Sequence, residues 1–257
     1  MVSTGNIIIM GLVVLASLML PFIFILVLRK RFQIQWIPIL IGAATFIVFA
    51  MVLEQIAHFL VLRPGVDGSI ALLDSSPWLY VLYGVLAAGV FEETGRLVAF
   101  LLMKRKYRKI DSAVSYGIGH GGVEAIIVLG LSTFNVLILS ILANNGSDLL
   151  GQLPAGVLES ITGAPAYTYI IGILERIIAI SLHIGLSVIV FVAVMQKGKW
   201  YLFPLAIVLH ALANVTAAMM QAGLLANLWM VYVGLVLMVI ITLFIAYTLA
   251  SRYKRSE

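Results

Sequence analysis

Four stretches of the chain hold residue types that can do hydrolytic chemistry. They are Phe91-Glu92-Glu93-Thr94-Gly95-Arg96, the segment Tyr116 to Glu124 with His120 inside it, Glu175-Arg176 followed by His183, and His210 with Asn214. A glutamate can deprotonate a water and a histidine can orient it or carry its proton. An imidazole or amide donor can then hold the oxyanion that forms when a peptide carbonyl is attacked. Residues four apart lie on one helical face, and Glu92 with Arg96, His120 with Glu124, and His210 with Asn214 each have that spacing. Successive side chains diverge by about 100° around a helix, so Glu92 and Glu93 cannot point the same way. One of them can serve the chemistry while the other is hydrogen-bonded to a neighbouring helix or paired with a cation. His120 and Glu124 with His210 or His183 would also make a nitrogen and oxygen set for zinc. These residues alone do not separate a metal-dependent from a metal-free hydrolysis.

The elements that carry them are apolar. Of the 257 residues, 63% are hydrophobic and 11% charged, against roughly 25% charged in an average soluble domain, and the mean hydropathy is +1.14. Apolar runs of about 20 residues, the length that spans hydrocarbon as a helix, recur from end to end. The expected fold is therefore all-α: one polytopic membrane domain over 1–257, with helices near 6–28, 36–60, 77–103, 112–142, 169–195, 201–221 and 227–250 and the motifs within 77–221. Pro21 and Pro204 stand inside two of these helices and would kink them. Met1 to Asn6 lacks a basic leader region, so the first helix is read as retained.

Basic residues follow alternate helices: Arg29, Lys30 and Arg31; Lys104, Arg105, Lys106, Arg108 and Lys109; Lys197 and Lys199; Arg252, Lys254 and Arg255. These are 13 of the 16 Lys and Arg, which puts that side in the cytoplasm and the N-terminus outside. The charge of +5 thus sets topology, and no nucleic-acid partner is implied. With no cysteine, thiol proteases, disulfides and thiolate metal sites are excluded. The segment from Asn144 to Thr168, rich in Gly, Pro and Asn, reads as a connector or a lid over a substrate entrance.

An ionised side chain at mid-bilayer costs roughly 2.5–3.5 kcal/mol, so the charged motifs must face inward and be paired, hydrated or neutral. Counting from the basic helix ends at 1.5 Å per residue puts Glu92, His120 and His210 roughly 12–16 Å deep, and Glu124, His183 and Asn214 roughly 18–20 Å deep. Four helices therefore bring polar groups to one level. Glu54, His58, Glu175 and Arg176 fall near the opposite edge, where a Glu54–Arg176 ion pair is the expected arrangement. Gly117, Gly119, Gly121 and Gly122 reduce the bulk around His120, for close helix packing or for substrate.

Taken in order, the Glu-Glu-x-x-Arg element, Tyr116-x-x-x-His120 and His210-x-x-x-Asn214 resemble the CAAX protease and bacteriocin-processing superfamily of intramembrane proteases. The closer resemblance is to YhfC-type glutamic intramembrane proteases, in which a stretch like Gly119 to Glu124 is expected. It implies that Glu92 is the general base aided by His120 and that His210 and Asn214 stabilise the oxyanion; with Glu93 these are the expected catalytic residues, and Arg96, Glu124 and His183 are expected to support them. The chain departs from the superfamily pattern in having only Thr94 and Gly95 between the glutamates and Arg96. Glu124 has its counterpart in the related PrsW-type proteases.

The expected function is an intramembrane endopeptidase of the bacterial cytoplasmic membrane, acting on a membrane protein or lipidated peptide. No cofactor is required on the preferred glutamic mechanism; zinc, held by His120, Glu124 and His210, is the alternative. A proton-coupled transporter would also concentrate Glu, His and Arg at mid-membrane, but the chain lacks the inverted repeat many such folds show. The span near 227–250 has no lysine for a retinal Schiff base, which removes a photoreceptor. A non-catalytic scaffold on the same fold is the remaining alternative.

Overall fold

A computed structural model describes residues 2–65, 68–146, 156 and 165–255. Eight helices occur among them: α1 Thr4–Leu28, α2 Trp36–Leu62, α3 Ala71–Ser75, α4 Pro77–Met103, α5 Ile110–Asn144, α6 Ala166–Met195, α7 Leu202–Gln221 and α8 Leu228–Lys254. Two of the long helices widen into π-turns part-way, α2 over Ile47–Glu54 and α5 over Ala125–Leu131. All of them except α3 and α4 are long and apolar enough to cross a membrane, which makes six candidate spans. Helix α4 has the length, at 27 residues, but carries Glu92, Glu93 and Arg96 in its middle. Most of the expected Asn144 to Thr168 lid lies outside the described residues.

Helix α6 is the axis of the bundle. Of its most apolar stretch 72% is buried, against 17% in α1 and in α8. Around it Phe100, Tyr116, Ile118, Leu186, Ile189 and Phe191 form a dry core with no exposed surface. Leu102, Trp229, Val233 and Phe244 are instead more than half exposed on the outside. Such large apolar side chains would be an aggregation hazard in water and are lipid contacts in a bilayer. Most of α1 is lipid-facing in this way, whereas one face of α8 walls the polar cavity described below.

The glycines of α5 set how closely the helices approach. A methyl group on Gly119 would collide with the Ile39 carbonyl of α2, and one on Gly117 would lie 2.6 Å from Ile184 Cα of α6. Gly121 meets Ile180 of α6 and Gly122 meets Pro21 of α1 in the same way. All four serve close packing, so none leaves room for substrate. Hydrogen bonds from Gln35 N to Ser115 Oγ, 3.0 Å, and from Ser112 Oγ to Gln35 Oε1, 2.8 Å, pin the start of α2 to α5. Pro204 lies in the first turn of α7, where its missing N–H breaks no helical bond and causes no kink.

One end of the bundle is basic. Tyr253 Oη donates to the Arg108 carbonyl at 2.7 Å, and Lys254 Nζ stands 5.3 Å from the Phe32 ring centre. The ends of α1, α4 and α8, each followed by Lys and Arg, therefore meet. At the opposite end Asn144 of α5 bonds both backbone groups of Val2, accepting at 2.8 Å and donating at 2.7 Å.

Candidate active site

Glu92, on the mid-section of α4, faces a cavity of about 280 Å³. Glu124 of α5, Arg176 and His183 of α6, and His210 and Asn214 of α7 share its wall, and Leu228 and Tyr232 of α8 close the side. The chain brings these groups together because α4, α5 and α7 all pack on α6, and each places its polar residues at the same level.

Glu92 is 8% exposed and sits between three histidines. His120 Nε2 lies 2.8 Å from Glu92 Oε2, His183 Nδ1 lies 3.9 Å from the same oxygen, and His210 Nε2 lies 3.9 Å from Glu92 Oε1. His120 is fully buried and does not line the cavity; Phe46 meets it edge-on with ring centres 5.3 Å apart. It holds Glu92 from behind.

The other two histidines are each backed by a carboxylate. His210 Nδ1 lies 2.8 Å from Glu93 Oε1, and His183 Nε2 lies 2.5 Å from Glu124 Oε2. Glu93 Oε1 also accepts from Arg96, and both residues are completely buried. Arg96 Nη2 reaches His183 Nδ1 at 3.0 Å. A guanidinium can only donate, so His183 Nδ1 carries the lone pair and Nε2 the proton that faces Glu124. By the same reasoning, Glu93 as acceptor fixes the proton of His210 on Nδ1, leaving the Nε2 lone pair directed at Glu92.

Several expected pairings change partners. Arg96 pairs with Glu93, three residues back, and not with Glu92. Within the His120 and Glu124 pair, His120 turns to Glu92 while Glu124 turns to His183 and to Arg176 Nη1, 2.5 Å away. The Glu54–Arg176 ion pair is absent among the described residues: Glu54 is 3.3 Å from His58, and Arg176 bonds Glu124 and Glu175. Asn214 lines the cavity one turn beyond His210. The residue underweighted by sequence reading is His183, which joins the centre directly. Its signal was its depth, matching Glu124, and its place seven residues after Arg176, two turns along one face.

The family model described as YhfC intramembrane metalloprotease matches residues 16–235. The chain belongs to this family. It is 33% identical over 234 residues to the "Uncharacterized membrane protein YhfC" of Bacillus subtilis (strain 168), covering 88% of this chain and 90% of that one. No solved structure matches the chain. It is accordingly an intramembrane protease and a multi-pass membrane protein, and the family's description names a metal where the sequence reading preferred a metal-free glutamic mechanism.

The residues of this YhfC-family chain fit such a metal. Glu92, His183 and His210 each offer one ligand atom, and the three atoms lie within 4.8 Å of one another. Ligands on tetrahedral zinc at roughly 2.0–2.1 Å stand about 3.3 Å apart; His183 Nδ1 and His210 Nε2 each lie 3.9 Å from Glu92, on its two different oxygens, so the group would have to contract around an ion. Both imidazoles present a lone pair inward and give their other nitrogen to a carboxylate, the arrangement that fixes metal-binding histidines. This group shares only His210 with the expected set of His120, Glu124 and His210. His120 Nε2 is taken up by Glu92, Glu124 Oε1 by Arg176 and His183 Nδ1 by Arg96 Nη2, so a metal at His183 would have to displace the guanidinium.

Proposed function

We propose that the chain is a metallo-endopeptidase that cleaves a peptide bond within or beside a membrane-embedded segment, with Glu92, His183 and His210 holding a metal such as zinc. The observation that supports it is the pair of carboxylate-backed imidazoles, Glu93 behind His210 and Glu124 behind His183, converging on Glu92. A metal bound there would polarise the scissile carbonyl and acidify a water toward neutral pH. His120 orients Glu92, and Arg96 holds Glu93 and through it the His210 ring. Asn214 offers an amide N–H to the developing oxyanion. In this reading Glu124, on the cavity wall beside His183, would take the proton of the attacking water and return it to the leaving amine.

The 2.8 Å contact between His120 and Glu92 favours a second reading. In it Glu92, aided by His120, is itself the base, and His210 with Asn214 receives the oxyanion without a metal. The likeness to the CAAX protease and bacteriocin-processing superfamily supports that version. In either, α4 is a seventh crossing, since 27 residues reach about 40 Å as a helix. The basic loops then mark the cytoplasmic side and the N-terminus is outside.

Cleavage of a single-span membrane substrate by the purified protein in detergent tests the metal version. Exhaustive chelation should abolish the product band and added zinc should restore it. Unchanged cleavage after chelation would leave the metal-free reading in its place.

A further inference from the structure

Beyond the site cavity lies a second, of about 410 Å³, whose wall includes Glu124, Glu175, Arg176, Asn214, Ala217 and Gln221. All six also line the first cavity, so the two adjoin across a shared wall of side chains. The divider is the cluster in which Arg176 bonds both Glu124 and Glu175. The second chamber is polar beyond it as well: His58 lines it, 3.0 Å from Tyr83 Oη and 3.3 Å from Glu54, and Tyr80 lies on the same wall.

Direction follows from where these residues sit. His58 is near the end of α2, Tyr80 near the start of α4 and Gln221 at the end of α7, all away from the basic end. Toward the basic end the site is sealed by the fully buried Phe100, Tyr116, Leu186 and Ile189. The cavity at that end, lined by Lys104, Arg105, Arg108 and Tyr253, shares no residue with the site.

We propose that water and the scissile segment of the substrate reach Glu92 from the end opposite the basic loops, through the vestibule between α2, α4, α6 and α7. The inference rests on the protease reading and narrows its substrates to membrane segments whose cleavable bond lies in that half of the bilayer. Arg176, with its two carboxylates, forms the threshold that the segment must pass.

The chain has no cysteine, so single cysteines report access without background. Gly84→Cys in the vestibule, where an added Cβ meets nothing within 4 Å, and Ala217→Cys and Ala179→Cys on the inner wall are exposed to a membrane-impermeant thiol reagent. Right-side-out and inverted vesicles are used, with Lys106→Cys marking the basic side and Ile189→Cys the dry core. All three cavity cysteines should label from the side opposite Lys106→Cys, and at least about tenfold faster than Ile189→Cys, because thiolate forms where water reaches. Labelling of Ala179→Cys from the Lys106 side, or at the Ile189→Cys rate from the other, would overturn the route. Cleavage by the same variants is scored separately, so loss of the route and loss of the protease reading give different results.

Discussion

Glu92→Gln should lower the cleavage rate by about 10²- to 10⁴-fold, the range a positioned acid–base group supplies, while the protein still folds. Glutamine keeps the volume of Glu92, and its amide oxygen can still face His120 Nε2 across the 2.8 Å contact. What it lacks is the charge. Without that charge the side chain is a poor metal ligand between His183 and His210, and it is no base either, so both mechanisms lose their central group. Initial rates on a membrane substrate, with thermal unfolding in the same detergent, measure the effect. Activity within tenfold of the unsubstituted protein, at equal stability, would remove Glu92 from the chemistry.

The second large effect falls on a residue that does not line the cavity. Glu93 is fully buried, accepts from Arg96 and takes His210 Nδ1 at 2.8 Å. Glu93→Gln leaves Arg96 as an uncompensated charge, and breaking a buried pair by removing one partner costs roughly 3–5 kcal/mol. It also puts a neutral amide in place of the carboxylate behind the His210 ring, and losing a carboxylate behind a ligating histidine typically costs about 10–100-fold in metal affinity or activity. The two consequences separate in the double variant Glu93→Gln with Arg96→Met. Removing the stranded cation should recover much of the thermal stability, while cleavage stays low because His210 still lacks its carboxylate. Full activity in the double variant would make the Glu93 and Arg96 pair a packing device alone.

The sequence makes the level of the site legible. Charge in an apolar helix is costly enough that its position is informative, and counting from the basic ends brings Glu92, His120, His183 and His210 to neighbouring depths, where the structure brings their rings and carboxylate together. Helical periodicity reaches less far with partners. Glu93 and Glu92 both lie within a turn of Arg96, and the spacing alone does not say that the guanidinium bonds Glu93 while Glu92 turns to His120. Which histidines face one carboxylate depends on helix rotation, and that is set by contacts such as Gly119 on the Ile39 carbonyl and Gly117 on Ile184. The i, i+4 spacing of His120 and Glu124 therefore suggested a shared site that the neighbouring helices divide. Similarly, α8 carries no charge along most of its length, so nothing in its sequence marks Leu228 and Tyr232 as cavity wall.

The most direct measurement of the metal centre is the zinc content per chain of the purified protein and of two single variants, His183→Ala and His120→Ala. The ligand set Glu92, His183 and His210 predicts about one zinc per chain in the unsubstituted protein, retained at weaker affinity in His120→Ala and lost in His183→Ala. Zinc that survives His183→Ala but is lost with His120→Ala, or full cleavage by protein carrying no metal, would contradict it.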